Sequence, residues 1–118
     1  IAERYNFLLK DLPVQIPFQL ENTYSALHLY VVRLKLDEIS ATHKDVFDEL
    51  RANQINVNLH YIPVHIQPYY KAMGFRYGDF PVSEQYYKEA ISLPMYPGLS
   101  QSDQDTVVQV LTSSLASK

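Results

Sequence analysis

The chain contains no cysteine, which excludes disulfides and thiolate chemistry and fits a cytoplasmic protein. Glycine is nearly missing. Its three residues, at positions 74, 78 and 98, are too scattered to form the glycine-rich loop that cradles phosphates. No basic run offsets the net charge of −3, so the electrostatic footprint of a nucleic-acid-binding surface is lacking. No apolar run reaches membrane-spanning length, and no bilayer partner is expected. Nor does any serine–histidine–aspartate pattern have a supporting context.

What the chain does hold is 47% hydrophobic residues against 19% charged, the balance of a globular chain rather than a disordered one. Its 118 residues suffice for one domain with a modest core. Tyrosine is abundant, ten in all, and each buried hydroxyl must find a partner or lie under something else. The chain starts at Ile1, without an initiator methionine or a capping residue ahead of an apolar-periodic stretch, which reads as a fragment cut from a larger protein.

Residues 1–12 read as a helix with Tyr5, Leu8, Leu9 and Leu12 on one face, stopped by Pro13 because the residue before a proline avoids helical dihedrals. Pro13 and Pro17 make 13–23 an irregular connection. Residues 24–36 give the strongest strand signal. Both of its faces are largely apolar, so cover is expected on both, one of them from a part of the protein outside this chain, and His28 reads as a buried core histidine. Residues 42–54 predict a helix with Thr42 as N-cap and Asp45 closing a capping box. His43, Val46, Phe47, Leu50 and Gln54 share a face; Asn53 is expected to take a left-handed turn at the end, and His43 to be solvated.

Residues 56–62 alternate as a strand, with Val57, Leu59 and Tyr61 facing the core and Asn56, Asn58 and His60 the other side, until Pro63 ends regular pairing. A loop follows to Gly78. Asp79 reads as the cap of a helix with Pro81 in its first turn, running to about Ile91 with Val82, Tyr86 and Ala90 inward. Pro94 confines 91–96 to a short edge strand. Ser100 and Asp103 open a last helix carrying Val107, Val108, Leu111 and Leu115 at helical spacing. This order predicts an α+β fold, a small antiparallel or mixed sheet with helices packed on one face.

The stretch 55–70, INVNLHYIPVHIQPYY, is where a strand delivers polar and aromatic side chains to a loop, a common way to present groups to a ligand from a rigid base. A metal site at His60 and His65 is disfavoured, since extended-chain spacing sends the two rings apart and neither cysteine nor a nearby carboxylate assists them. As a single residue, His60 reads more readily as a satisfied surface or interface histidine than as a catalytic group. Tyr86, Tyr87 and Tyr96 read as packing groups.

HYIPVHIQPYY (60–70), followed by GDFPVSEQYYKEAISLPMYPGLS (78–100), resembles the C-terminal part of the DegT/DnrJ/StrS sugar-nucleotide aminotransferases, closest to their pseudaminic acid biosynthesis branch. The likeness extends through LHLYVVRL (27–34) and LPMYPGLSQSDQD (93–105). It implies that 1–12 is the end of an interdomain helix and 13–118 the small C-terminal domain of a fold-type I aminotransferase. It also implies a pyridoxal-phosphate enzyme of polysaccharide biosynthesis that works as a homodimer and aminates a UDP-linked 4-keto-6-deoxy sugar. In that family the cofactor lysine belongs to the larger N-terminal domain, and Lys10, Lys35, Lys44, Lys71, Lys88 and Lys118 match no such motif. The fragment alone is therefore expected to bind no cofactor and to be inactive. The resemblance implies substrate contacts from His60, Tyr61, His65 and Tyr69, whose neutral imidazoles and phenols suit sugar hydroxyls and pyrophosphate oxygens. Tyr61 fits least well, because its strand parity points it at the core. The other reading of the residues is a stand-alone ligand-binding or dimerisation module.

Overall fold

The computed structural model describes residues 1–59 and 61–116. Five helices accompany a three-stranded antiparallel sheet: α1 (Ala2–Leu9), β1 (Val14–Gln15), β2 (Tyr30–Leu34), α2 (His43–Ala52), α3 (Pro68–Lys71), α4 (Pro81–Glu89), β3 (Ala90–Leu93) and α5 (Gln101–Ala116). The strand order is β1-β2-β3, with Val14 opposite Leu34 and Val32 opposite Ile91.

The inner face of β2 buries Tyr30, Val32 and Leu34. Against it lie Val46 and Leu50 of α2, Val107, Leu111 and Leu115 of α5, and Tyr5 and Leu9 of α1, in one continuous core. The two core tyrosines stack at 4.8 Å and each finds an acceptor: Tyr5 donates to the Pro94 carbonyl at 2.7 Å and Tyr30 to Asn6 Oδ1 at 2.6 Å. Burial pushes the Tyr30 phenol up to about 12 and, with the neighbouring Tyr30 and Tyr96, raises that of Tyr5 further. On the opposite face Arg33 bridges to Glu89 at 2.7 Å and lies over the Tyr86 ring, so α4 covers part of that side as well.

The expected helices form where local signals are strong. Thr42 and Asp45 make both bonds of the capping box. Ser100 Oγ accepts the Asp103 N–H at 3.0 Å at the start of α5. The end of α2 differs from expectation, since Gln54 (φ 63°), not Asn53 (φ −92°), takes the left-handed conformation. The Gln54 N–H bonds the Arg51 carbonyl and the Ile55 N–H reaches the Leu50 carbonyl, both at 3.0 Å, the pair that closes a helix through a left-handed residue. His43 is half-buried rather than solvated, with Nε2 3.0 Å from the Ala90 carbonyl.

Both predicted long strands are cut short, and Pro94 accounts for much of it. In the β2–β3 register, Leu29 would face Pro94, so pairing stops at Tyr30. Residues 24–29 are exposed instead, His28 among them, and Leu27 turns with φ 55°. Among its described residues the 56–62 stretch makes one isolated bridge, Asn58 to Ser92. The next ladder position on the Asn56 side is Pro94, which has no N–H to give. Freed from strand parity, Tyr61 stands 76% exposed rather than facing the core.

Candidate functional site

Residues 61–84 fold into a compact loop module held by one carboxylate. Pro63 is buried and leads a short turn, Val64–Ile66, and Pro68 opens α3 at a position where a missing N–H costs nothing. The chain returns through Gly78, whose φ of 100° is closed to ordinary side chains. Pro81 then starts α4. The inward residue of this helix is Glu84 and not Val82, which is 81% exposed. Asp79 does not cap the helix; its Oδ2 accepts the Arg76 N–H at 2.9 Å.

Glu84 is 4% exposed and accepts from three residues. Its Oε2 takes His65 Nε2–H at 2.7 Å and the Phe80 N–H at 3.3 Å, and both oxygens take the Gly78 N–H, at 2.9 and 2.8 Å. Burial pushes this carboxyl up, but the bonds from His65, Gly78 and Phe80 outweigh it and hold the group below its usual range. Glu84 is thus an acceptor for the Nε2–H of His65. No buried side-chain nitrogen or oxygen among the described residues lacks a partner.

A cleft of about 370 Å³ is lined by Val64, His65, Tyr70, Phe75, Phe80 and Ser83. Phe80 packs edge-on against the His65 ring at 4.8 Å, and Phe75 bridges Tyr70 at 6.4 Å and Phe80 at 6.3 Å. Of the residues named from the sequence, the cleft takes His65 directly. Tyr69 stands one ring away, edge-on to Tyr70 at 5.1 Å and 68% exposed. Tyr61 does not line the cleft. His60 lies outside the described residues. Glu84 was missed in the sequence reading, although a glutamate in the first turn after Phe80-Pro81 carries the signature of a carboxylate reaching back to free N–H groups.

Among the described residues no cluster of histidine and carboxylate side chains suits a metal ion, and no helix is long and apolar enough to cross a membrane. Lys10, Lys35, Lys44, Lys71 and Lys88 are all exposed, and none lines the cleft. Asp48 raises the pKa of the Lys44 ammonium, and Tyr77 that of Lys88. No described lysine is placed to form a Schiff base in the cleft, and no step through pyridoxal phosphate is derived from this chain.

The antiparallel α+β layer matches part of a larger aminotransferase fold. The chain belongs to the DegT/DnrJ/EryC1/StrS aminotransferase family, whose sequence profile matches residues 1–112. It is 37% identical over 114 residues to the spore coat polysaccharide biosynthesis protein SpsC of Bacillus subtilis, covering 94% of this chain and 29% of that one. The structure of S. venezuelae DesV in complex with a ketimine intermediate superimposes with a TM-score of 0.84 at 26% identity, over 95% of this chain and 29% of DesV. Helicobacter pylori PseC, an aminotransferase of pseudaminic acid biosynthesis, shares the fold at a TM-score of 0.83 and 22% identity, over 97% of this chain and 30% of PseC. The chain thus spans less than a third of the length of these relatives.

Proposed function

We propose that this chain is the small C-terminal domain of a pyridoxal-phosphate-dependent aminotransferase that aminates a UDP-linked 4-keto-6-deoxy sugar. Residues 1–12 form the end of the helix between its domains, and 13–118 the domain proper. The observation that carries the reading is the family match over 1–112 at a share of only 29% of SpsC. A larger N-terminal domain supplies the lysine and the cofactor, which provides the electron sink for moving an amino group from glutamate to the keto carbon. The intact enzyme pairs as a cytoplasmic homodimer, with neither membrane nor nucleic acid as partner.

In this reading the chain binds and orients the acceptor. His60, Tyr61, His65 and Tyr69 contact the nucleotide sugar, and Glu84 holds the His65 ring in place through Nε2. The test is amino transfer from glutamate to the UDP-linked keto sugar by the intact protein and by the 118-residue chain. The intact protein is expected to turn over and the chain alone to do nothing. His60→Ala in the intact protein is expected to lower sugar-nucleotide turnover more than cofactor binding. Turnover by the isolated chain, or none by the intact protein, refutes the reading.

A further inference from the structure

We propose that residues 16–29 form a docking arm for the domain that precedes this chain in the intact enzyme, and that this domain covers the arm together with the first turn of α1. The inference rests on the two-domain reading above and names the surface through which the domains meet. The arm joins β1 to β2, and every residue from 17 to 29 is exposed. Exposed chain is ordinarily rich in charge, yet Glu21 is the sole Asp, Glu, Lys or Arg between Asp11 and Arg33. Phe18 is 81% exposed, Leu20 63% and Tyr24 93%. An aromatic, charge-poor surface has the composition of a buried interface core rather than of a face turned to water.

The arm is not slack. Asn22 turns with φ 62°, the Leu20 carbonyl accepts from the Thr23 N–H at 3.3 Å and from the Thr23 hydroxyl at 2.6 Å, and Gln19 Nε2 donates to the Thr23 carbonyl at 2.8 Å. These bonds shape the tip from within, so a partner meets a formed surface and little entropy is lost in settling on it. Position identifies the partner. Phe18, Leu27 and Leu29 share a cleft of about 110 Å³ with Ala2 and Asn6 of α1. Phe18 and Leu29 also line a second cleft, of about 340 Å³, with Val31 and Arg33 of β2. The apolar patch therefore runs from the first turn of α1 onto the outer face of the sheet. In the two-domain reading the preceding domain is joined to the chain at that same turn. A domain tethered there meets the patch at an effective concentration on the order of millimolar, far above that of a second copy in solution.

The experiment uses the intact protein with p-benzoylphenylalanine in place of Phe18 and, separately, of Tyr24. Irradiation is expected to join each position to residues ahead of Ile1 in the same chain, giving a product that keeps the mass of a single subunit and is located by peptide mass spectrometry. The backbone amides of 24–29 are expected to exchange with deuterated water at least about tenfold more slowly in the intact protein than in the 118-residue chain. Photoproducts at twice the subunit mass put the partner subunit on the arm and overturn the proposal. So do photoproducts confined to residues 1–118, the lack of any photoproduct, or equal exchange in the two proteins. Amino transfer by the unsubstituted intact protein is scored separately. Transfer retained without the expected cross-links sinks this inference alone, whereas the expected cross-links without any transfer leave the docking surface standing and sink the enzymatic reading beneath it.

Discussion

Gln54→Gly tests the closure of α2. Gln54 sits at φ 63°, where an L side chain costs about 1–2 kcal/mol relative to its ordinary conformations. Glycine removes that cost but adds backbone freedom to the unfolded chain worth about 0.5–1 kcal/mol. The Gln54 side chain is exposed and makes no hydrogen bond with the described residues that the change would lose. The central expectation is a gain of about 0.7 kcal/mol, with Tm rising by about 3 °C for a domain of this size. Thermal unfolding followed by circular dichroism reads it, with Asn53→Gly as the opposing control. Asn53 has φ −92° and its Nδ2 donates to the Glu49 carbonyl at 2.8 Å, so that variant is expected to lose stability by about 0.5–1.5 kcal/mol. A Gln54→Gly protein no more stable than its parent, or an Asn53→Gly protein more stable, would refute the assignment of the left-handed residue.

Tyr5→Phe deletes the hydroxyl that donates to the Pro94 carbonyl while keeping the buried ring, and is expected to cost about 1–1.5 kcal/mol, read as a lower urea midpoint at unchanged m. An unshifted midpoint counts against that bond. Acid should loosen the loop module. Glu84 is held below its ordinary value of 4.5, so its contribution is fully present above about that pH and is lost as pH falls through the lower folded value. Urea midpoints between pH 7 and pH 3 are expected to drop on the acid side, and Glu84→Gln to flatten that drop; an equal acid limb in the variant assigns the loss to other carboxylates.

The helices were legible because their signals are local. Val46 and Leu50, or Leu111 and Leu115, declare a buried face by spacing alone, and Thr42 with Asp45 declares a start. The strands were legible in existence but not in length, because length depends on what lies alongside. Pro94 truncates the pairing of residues more than thirty or sixty positions earlier, and nothing within 24–29 or 56–62 announces it. His28 followed from that error, since a strand two residues longer would have enclosed it. At the loop module the aromatic character of the site was readable, while its organiser was not. Periodicity favoured Val82 as the inward residue of α4, and the glutamate two positions on took the interior because Gly78, Phe80 and His65 converge on it from segments that sequence spacing does not align.

The join between the first and last helices bears on how the chain acquires its structure during synthesis. Arg4 reaches the Gln101 carbonyl, Gln104 Oε1 and Asp105 Oδ1, and Gln104 Nε2 returns to the Ile1 carbonyl at 2.8 Å, links that span about a hundred residues. Within this domain α1 is made long before α5, and Tyr5 and Leu9 share their core with Val107, Leu111 and Leu115, so the packing around the first of these helices is completed only after the last has been synthesised.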